Sequence, residues 1–340
     1  PFDRFICMNS GSESVTVSLR IADVNARKHT GPGGVHEGKE IKLLAIEKAF
    51  HGRTDRPAQI SHSCKGSYDK NLATFRDRDN LLLVPANDIE SLEAMFKRAN
   101  DENWFIELMA IEPVQGEAGV NTPSDDYMQK VQALCNAHNV LFMADEIQTG
   151  IGRTGSLLAV CGNCSCQSAC EQQQETYARP DILILGKALG GGVYPVSAVL
   201  ADREVMEVIR PGEHGSTFGG NPVASAVGMA SLQVIEDDRL AQNARALGQI
   251  FRAHLNEYKS ESKVLVGVRG RGLLNAIVIN DSQEGSLAWD ICMTFKEKGL
   301  LAKPTHGNII RFAPPLVITN DELLTCIKII IDTLRKFEPS

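Results

Sequence analysis

The sequence predicts an α/β fold, in which a mostly parallel sheet is followed by a smaller α+β region. Short runs that are apolar at nearly every position alternate with segments of helical period, as in sheets that helices cover on both faces. From about Arg239 this pattern changes to amphipathic helices mixed with shorter strands. We therefore expect the chain of 340 residues to divide into a large domain, residues 1–235, and a small domain, residues 236–340.

Five apolar runs predict strands of the large domain. They are Lys42–Phe50, Glu107–Val114, Asn139–Ile147, Asp181–Ala188 and Val196–Asp202. Between the second and third runs, Met128, Val131 and Cys135 recur at helical spacing, and Ser124 is predicted as the N-cap of that helix. A strand, a helix and a strand in succession predict parallel pairing.

Composition excludes several kinds of partner. The net charge of -7 leaves no basic surplus for nucleic acid or for an anionic membrane, and no apolar run is long enough to cross a bilayer. Several of the nine cysteines lie inside apolar runs, as free thiols do in a reducing compartment. We therefore expect an intracellular protein with neither nucleic-acid nor membrane partners.

The segment "NSGSES" predicts the start of a helix. Ser10 and Glu13 have the spacing of a capping box, and an apolar stripe of helical period begins at Val15. Unpaired N–H groups and the positive end of the helix dipole, with Gly11 allowing close approach, would bind a phosphate group. The alternative is an ordinary capped helix.

Charged residues end two of the predicted strands. Strand alternation directs Asp145 and Glu146 to opposite faces, so at least one carboxylate is buried and needs a cation, from a ligand or from a salt bridge. Lys187 ends the run "DILILGK" and a glycine run follows it. A Walker lysine is excluded because Ala188 stands where Ser or Thr is required. Partial desolvation would suit Lys187 to Schiff-base chemistry, and a surface lysine is the alternative.

Six motifs in order along the chain carry a resemblance to a known family. They are "SGSES", "FHGRT", "EPVQGEAGV", "DEIQTGIGRTG", "GKALGGGVYPVSAV" and "GEHGSTFGGNP". Together they resemble the class III aminotransferases, which use pyridoxal 5′-phosphate. The resemblance implies a fold-type I enzyme and a homodimer with active sites shared across its interface. It also implies that an N-terminal segment of the family's fold, which supplies part of the small domain and much of the dimer contact, is missing before Pro1.

The resemblance implies roles for the residues of a cofactor site. Lys187 would bind the cofactor covalently and carry a substrate proton, and Asp145 would pair with the protonated ring nitrogen. Glu112 is either a carboxylate of this site or the cap of a strand end. The other implied contacts are a phosphate site at the N–H groups of Gly11 and Ser12, ring stacking on Phe50, packing beneath the ring by Ile147, a contact of Gln148 with the phenolic oxygen, and a phosphate contact of Thr217 from the neighbouring subunit.

Two C-terminal segments, "VRGRGLLNAIVI" and "GLLAKPTHGNIIRFAPPLVIT", are similar to the family members that act on ornithine. This similarity implies transfer of the δ-amino group of L-ornithine to 2-oxoglutarate. Arg53 would bind the distal carboxylate, while Arg311 would pair with Glu117 or hold the carboxylate of glutamate. The alternatives are another ω-amine donor, such as N-acetylornithine or 4-aminobutyrate, and a homologue without activity. Relatives of this kind are found in the mitochondrial matrix or in the cytoplasm.

The segment "CGNCSCQSACEQQQETYA" stands where the family has a short connection. Zinc could bind to Cys161, Cys164, Cys166 and Cys170. However, zinc sites usually have two C-x-x-C pairs with a longer separation between them, and this segment lacks that arrangement. We therefore predict an exposed polar insertion with reactive thiols, and no metal site.

Overall fold

A seven-stranded sheet forms the centre of the first part of the molecule. The computed structural model describes residues 2–73, 75, 79–161 and 178–339. The strands are β1 (Arg4–Met8), β2 (Glu40–Ile46), β3 (Leu81–Val84), β4 (Trp104–Ile111), β5 (Leu141–Asp145), β6 (Ile182–Leu185) and β7 (Ser197–Ala201), in the order β1-β7-β6-β5-β4-β2-β3. Strands β2 to β6 pair in parallel, and β7 runs antiparallel to β6 and β1.

The prediction of a mostly parallel sheet is confirmed. All five predicted strands are present, with ends that differ by a few residues. The two strands that the sequence pattern does not predict, β1 and β3, are the short strands at the two edges. β1 begins with Arg4, while β3 is an apolar run of only four residues, LLLV, which is too short to be distinguished from part of a helix by its pattern.

Helices cover both faces of this sheet. They are α1 (Gly11–Thr30), α2 (Asp55–Gln59), α3 (Lys65–Asn71), α4 (Ile89–Asp101), α5 (Tyr127–Ala137), α6 (Arg203–Met206) and α7 (Pro222–Asp237). Leu19 of α1 lies in one apolar cluster with the strands, while Phe96 of α4 and Val131 of α5 lie in another. The predicted N-cap Ser124 is wrong: α5 begins at Tyr127, and the Ser124 N–H donates to the side chain of Asn87.

The C-terminal part has its own sheet and its own core. Strands β8 (Leu265–Arg271), β9 (Leu274–Ile279), β10 (Lys303–Thr305) and β11 (Ile309–Phe312) pair antiparallel in the order β10-β11-β9-β8. Helices α8 (Leu240–Lys259), α9 (Leu287–Glu297) and α10 (Asn320–Phe337) complete this part. The rings of Phe251 and Phe295 pack against Phe312. Along the chain, the strands of the first sheet precede the division expected after residue 235, and the strands of the second sheet follow it.

Glycines allow the two sheets to approach closely. A Cβ atom at Gly248, in α8, would lie 1.9 Å from the carbonyl oxygen of Gly272, in the turn between β8 and β9. A Cβ atom at Gly272 would lie 2.4 Å from the carbonyl carbon of Thr154, which belongs to the first part of the chain. Arg153 donates from Nη1 to the carbonyl oxygen of Pro314 at 2.6 Å. These contacts fix the four-stranded sheet, and with it β11, beside the seven-stranded sheet.

Within the described ranges, no helix has the length and apolarity needed to cross a membrane. Cys164, Cys166 and Cys170, which belong to the predicted polar insertion, lie outside the described residues.

Gly248→Ala should lower the free energy of unfolding by about 1–3 kcal/mol, because the added methyl group would force α8 away from the turn at Gly272. Gly228→Ala in α7 is the matched control. Its Cβ atom would meet nothing closer than the Leu189 carbonyl oxygen at 3.8 Å, so the higher helix propensity of Ala should stabilise it by about 0.5–1 kcal/mol. Denaturant unfolding measures both changes. Equal effects of the two substitutions would contradict the close contact.

Candidate active site

Three charged side chains lie where neighbouring parallel strands end. Glu112 directly follows β4, Asp145 is the last residue of β5, and Lys187 follows β6. The carboxyl ends of these strands meet at one edge of the sheet, which is where open α/β sheets bind ligands. The three groups are close enough that Asp145 and Glu112 both act electrostatically on Lys187. The structure therefore brings together the carboxylates and the lysine that the sequence singles out.

The start of α1 lies beside these strand ends. Ser10 is the N-cap, and its N–H group donates to Glu13 Oε2 at 2.8 Å, as the capping box predicts. Within the described part of the chain, the N–H groups of Gly11 and Ser12 donate to no protein acceptor. A Cβ atom at Gly11 would lie 2.6 Å from Ile147 Cδ1, so the helix end packs directly against the residues that follow Asp145. Two free N–H groups are thus available to an anion at this edge.

The "FHGRT" loop packs against the same helix end. Gly52 has a φ of +124°, and its Cβ position lies 2.3 Å from Ser12 Oγ, so a side chain would fit neither the backbone conformation nor the space. The Arg53 N–H group donates to Ser12 Oγ at 3.2 Å. The buried Ser61 hydroxyl accepts from the His51 N–H and donates to the Gly52 carbonyl oxygen. The loop therefore holds its side chains at a fixed distance from α1.

Asp145 is paired with a histidine that the sequence reasoning missed. The two side chains are almost completely buried, and 2.8 Å separates His51 Nδ1 from Asp145 Oδ2. An ionised carboxylate only accepts, so Nδ1 carries the proton of this hydrogen bond. Burial alone would lower the pKa of His51, but the hydrogen bond to Asp145 and the charges of Asp145 and Glu112 raise it overall. The hydrogen bond fixes the orientation of the Asp145 carboxylate inside the protein.

Glu112 is a buried carboxyl group beside that pair. Its Oε2 accepts from the Phe50 N–H at 2.8 Å, which ties the "FHGRT" loop to the end of β4. Burial and the charge of Asp145 raise the pKa of Glu112 to about 7, against the opposing effects of His51, Lys187 and this hydrogen bond. The carboxyl group therefore changes its protonation state near neutral pH.

Lys187 lies at the wall of a large cavity. Its backbone has a φ of +41°, an uncommon left-handed conformation for a residue other than glycine. The cavity has a volume of about 770 Å³, and Ile147 and Gln148 line it together with Lys187. Although the lysine is open to the cavity, it is surrounded by protein atoms, and this desolvation lowers its pKa against the opposing charges of Asp145 and Glu112. A lowered pKa increases the fraction of neutral, nucleophilic amine.

The two predicted substrate arginines lie near this edge. The Arg53 guanidinium lies over the Phe50 ring, 5.5 Å from its centre. Arg311, on β11, donates from Nη1 to the Gly116 carbonyl oxygen at 2.9 Å. The expected contact of Arg311 with Glu117 is not formed within the described residues, although each of the two charges shifts the pKa of the other. The carboxylate of Glu117 instead lies 3.5 Å from Nε2 of His306.

Two other predicted residues have different surroundings. Gln148 packs against the backbone of Gly116, where a Cβ atom would lie 2.5 Å from the Gln148 side-chain oxygen. Thr217 is exposed and lines a separate cavity of about 480 Å³ beside Asn9 and Glu13. A contact of Thr217 with a second copy of the chain stays a prediction.

Sequence reasoning missed His51 and His306. Both stand inside quoted motifs, "FHGRT" and "KPTHGN", but no periodicity distinguishes them from neighbouring polar residues. The signal for His51 lay in Asp145, because a carboxylate that ends a buried strand needs a buried cation. That argument gives the type of partner and not its position, since the two residues are 94 positions apart.

The structure defines an α/β protein with a lysine and two buried carboxylates at the carboxyl edge of its sheet, and comparison gives the family. The sequence model of the family "Aminotransferase class-III" matches residues 1–334. The chain belongs to this family.

Relatives within the family include proteins named for two different amine donors. The mitochondrial ornithine aminotransferase of Rattus norvegicus is 48% identical over 336 residues, which cover 99% of this chain and 70% of that protein. The solved ornithine aminotransferase of Toxoplasma gondii, described with partial occupancy of PLP at its active site, is 36% identical with a TM-score of 0.83 and covers 98% of this chain and 72% of that chain. The acetylornithine aminotransferase structure from Elizabethkingia anophelis is 42% identical with a TM-score of 0.80, covering 99% and 75%.

Glu112→Gln should stabilise the protein at pH 8 and have little effect at pH 5. The folded carboxyl group keeps its proton to a higher pH than the unfolded one, so Glu112 lowers stability as the pH rises from the ordinary carboxyl range to about 7. The gain in unfolding free energy at pH 8 should reach up to about 3 kcal/mol. Urea unfolding without added ligand measures it, and the exposed Glu297→Gln should give equal effects at both pH values. A gain that is larger at pH 5 would contradict the assignment.

Proposed function

We propose that this protein is an ornithine aminotransferase that uses pyridoxal 5′-phosphate. It transfers the δ-amino group of L-ornithine to 2-oxoglutarate, which gives glutamate 5-semialdehyde and glutamate. The observation that carries the proposal is the desolvated Lys187 at the wall of a cavity, within electrostatic reach of a carboxylate that a buried histidine holds in place. The similarity to relatives named ornithine aminotransferase supports this choice among amine donors.

The residues at the edge of the sheet fit the cofactor. The unpaired N–H groups at the start of α1 suit its phosphate group, and the buried carboxylate of Asp145 suits a protonated ring nitrogen. Phe50 would stack on the ring, Ile147 would pack beneath it, and Gln148 would meet the phenolic oxygen. When bound, the cofactor supplies an aldehyde that bonds to amines and a cationic ring that withdraws electrons from the substrate carbon.

The chain's own groups hold and move the protons. Lys187, whose pKa is lowered by desolvation, would hold the cofactor and, when free, would take a proton from the substrate carbon. His51 donates to Asp145 and fixes the orientation of its carboxylate inside the protein.

The two arginines bind substrates according to where the carboxylates lie. Ornithine reacts at its δ-amine, so its carboxylate is far from the reacting nitrogen and would bind Arg53. 2-Oxoglutarate has a distal carboxylate for Arg53 and a second carboxylate next to the ketone, which would bind Arg311 with planar, bidentate geometry. Glu117 would neutralise Arg311 when ornithine, which lacks that second carboxylate, is bound.

We also propose a homodimer in which Thr217 of one subunit contacts the cofactor phosphate of the other. The exposed apolar side chains of α7 support it, because Val223 and Met229 are each more than half exposed to solvent. The protein would work inside the cell, in the mitochondrial matrix or in the cytoplasm. The two domains, divided after residue 235, would close on the site from either side.

Purified protein with pyridoxal 5′-phosphate should form glutamate 5-semialdehyde from L-ornithine and 2-oxoglutarate. Trapping of the semialdehyde by 2-aminobenzaldehyde measures the rate, and N-acetylornithine and 4-aminobutyrate should react more slowly. Lys187→Ala should lower kcat by about 10²–10⁴-fold or more, because it removes the proton carrier. The exposed Lys328→Ala on α10 should leave the rate unchanged. Faster turnover of either competing amine would sink the choice of ornithine.

Arg53→Lys and Arg311→Lys should have different effects on the two substrates. Loss of bidentate geometry at Arg53 should raise KM about tenfold for ornithine and for 2-oxoglutarate, since both have a distal carboxylate. The same change at Arg311 should raise KM about tenfold for 2-oxoglutarate alone. Separate KM values for the two half-reactions test this expectation. If Arg311→Lys weakened both substrates equally, the assignment of Arg311 would be wrong.

A further inference from the structure

The hairpin formed by β10 and β11 contacts the "EPVQGEAGV" loop at three points. The Thr305 hydroxyl donates to the Glu117 carbonyl oxygen at 3.3 Å, and Arg311 Nη1 donates to the Gly116 carbonyl oxygen at 2.9 Å. Between them, His306 Nε2 lies 3.5 Å from Glu117 Oε2, an ion-pair distance. One hairpin therefore presents two cationic side chains, an imidazole and a guanidinium, to the neighbourhood of one carboxylate.

The carboxylate of Glu117 is nearer to the imidazole than to the guanidinium. Its contact with His306 lowers the pKa of Glu117 against the opposing effect of burial, and Ser63 and Arg311 lower it further. The same contact raises the pKa of His306, although burial and the charge of Arg311 oppose the change. His306 is thus more often protonated near neutral pH than a free histidine.

Arg311 is left with capacity for another anion. Its Nε is buried and has no hydrogen-bond partner in the described part of the chain. The charges that face it are those of Glu117, Glu112, Lys187 and His306. A buried guanidinium N–H without an acceptor is costly, so an anion is needed there, either from the protein or from a ligand. Glu117 is the protein anion within reach of this role, and His306 competes for it.

We propose that His306 is a positioning residue that holds the Glu117 carboxylate away from Arg311 and so keeps Arg311 free to bind a substrate carboxylate. The inference rests on the proposed role of Arg311 in binding 2-oxoglutarate. It adds a control to that role: the protonation state of His306 decides which cation Glu117 neutralises. Protonated His306 favours the dicarboxylate substrate, and neutral His306 releases Glu117 to Arg311 and favours the diamine.

The pH dependence has a definite sign. A raised pKa means that the contact of His306 with Glu117 is complete at low pH and is lost as the pH rises through the raised value. Affinity for a dicarboxylate should therefore fall between pH 6 and pH 9. A partly exposed ion pair changes an equilibrium by about three- to fivefold, and we expect an effect of this size.

Glutarate is the probe that tests the proposal, because it has two carboxylates and no reacting ketone. Calorimetric titration of the holoenzyme at pH 6 and pH 9 gives its Kd without any turnover of ornithine. If the enzyme did not act on ornithine, the Kd of glutarate could still be measured, so the two proposals can fail separately. Absence of glutarate binding to the unchanged enzyme would overturn the present one, since Arg311 would then hold no carboxylate.

Two variants separate charge from structure at position 306. His306 has a φ of +47°, which Asn tolerates, so His306→Asn removes the cation with little backbone strain. It should bind glutarate about three- to fivefold more weakly at pH 6 and equally at pH 9. His306→Lys keeps a permanent cation and should bind glutarate at pH 9 about three- to fivefold more tightly than the unchanged enzyme does. The exposed His254→Asn is the matched control and should behave as the unchanged enzyme does.

A second pair of variants keeps the test decisive. Glu117→Gln removes the anion for which the two cations compete, so adding His306→Asn to it should leave the glutarate Kd unchanged at both pH values. A structural role of His306 would instead weaken binding in both backgrounds. The proposal is overturned if His306→Asn binds glutarate at pH 6 as well as the unchanged enzyme does, or if its effect persists without Glu117.

Discussion

The buried pair of Asp145 and His51 is the interaction on which the rest of the site depends. Both side chains are nearly inaccessible to water. Without its partner, either one would be a polar group buried in an apolar interior with nothing to pair with. Loss of one partner from such a pair costs about 3–5 kcal/mol. The "FHGRT" loop must therefore stay where Ser61 anchors it, and Arg53 stays with it. One ion pair thus sets the position of the arginine that we propose binds the distal carboxylate.

Close backbone approach is the second constraint. Ile147 lies between the Gly11 and Gly186 backbones, and Ser12 lies against Gly52, so four segments from distant parts of the chain meet with no room for a Cβ atom at Gly11 or Gly52. Packing at this density transmits a displacement of one segment to the others. The lysine, the helix end and the arginine loop are for this reason parts of one rigid arrangement.

The sequence predicts the parallel sheet well, because strands buried on both faces need continuous apolar runs, and it predicts the start of α1, because Ser10 and Glu13 satisfy each other locally. It predicts the edge strands β1 and β3 poorly, because each is too short for its sequence pattern to distinguish a strand from a helix or a loop. At the site, the sequence likewise reveals the residues that have a local signal and misses those that have none. Lys187 and Asp145 are visible as charges that end apolar runs, whereas His51 and His306 are recognisable only through partners that folding brings to them.

The charges at this edge explain why one site could accept both a diamine and a dicarboxylate. Arg311 is partly desolvated and keeps an unpaired N–H, so it gains most from an anion that arrives with the substrate. Glu112, with a pKa of about 7, can hold a proton and so avoid competing for that cation. Glu117 is held by the hairpin that carries Arg311 itself. Because the competing anion contacts the hairpin that carries the cation, a rotation of one carboxylate would be enough to change which cation it neutralises.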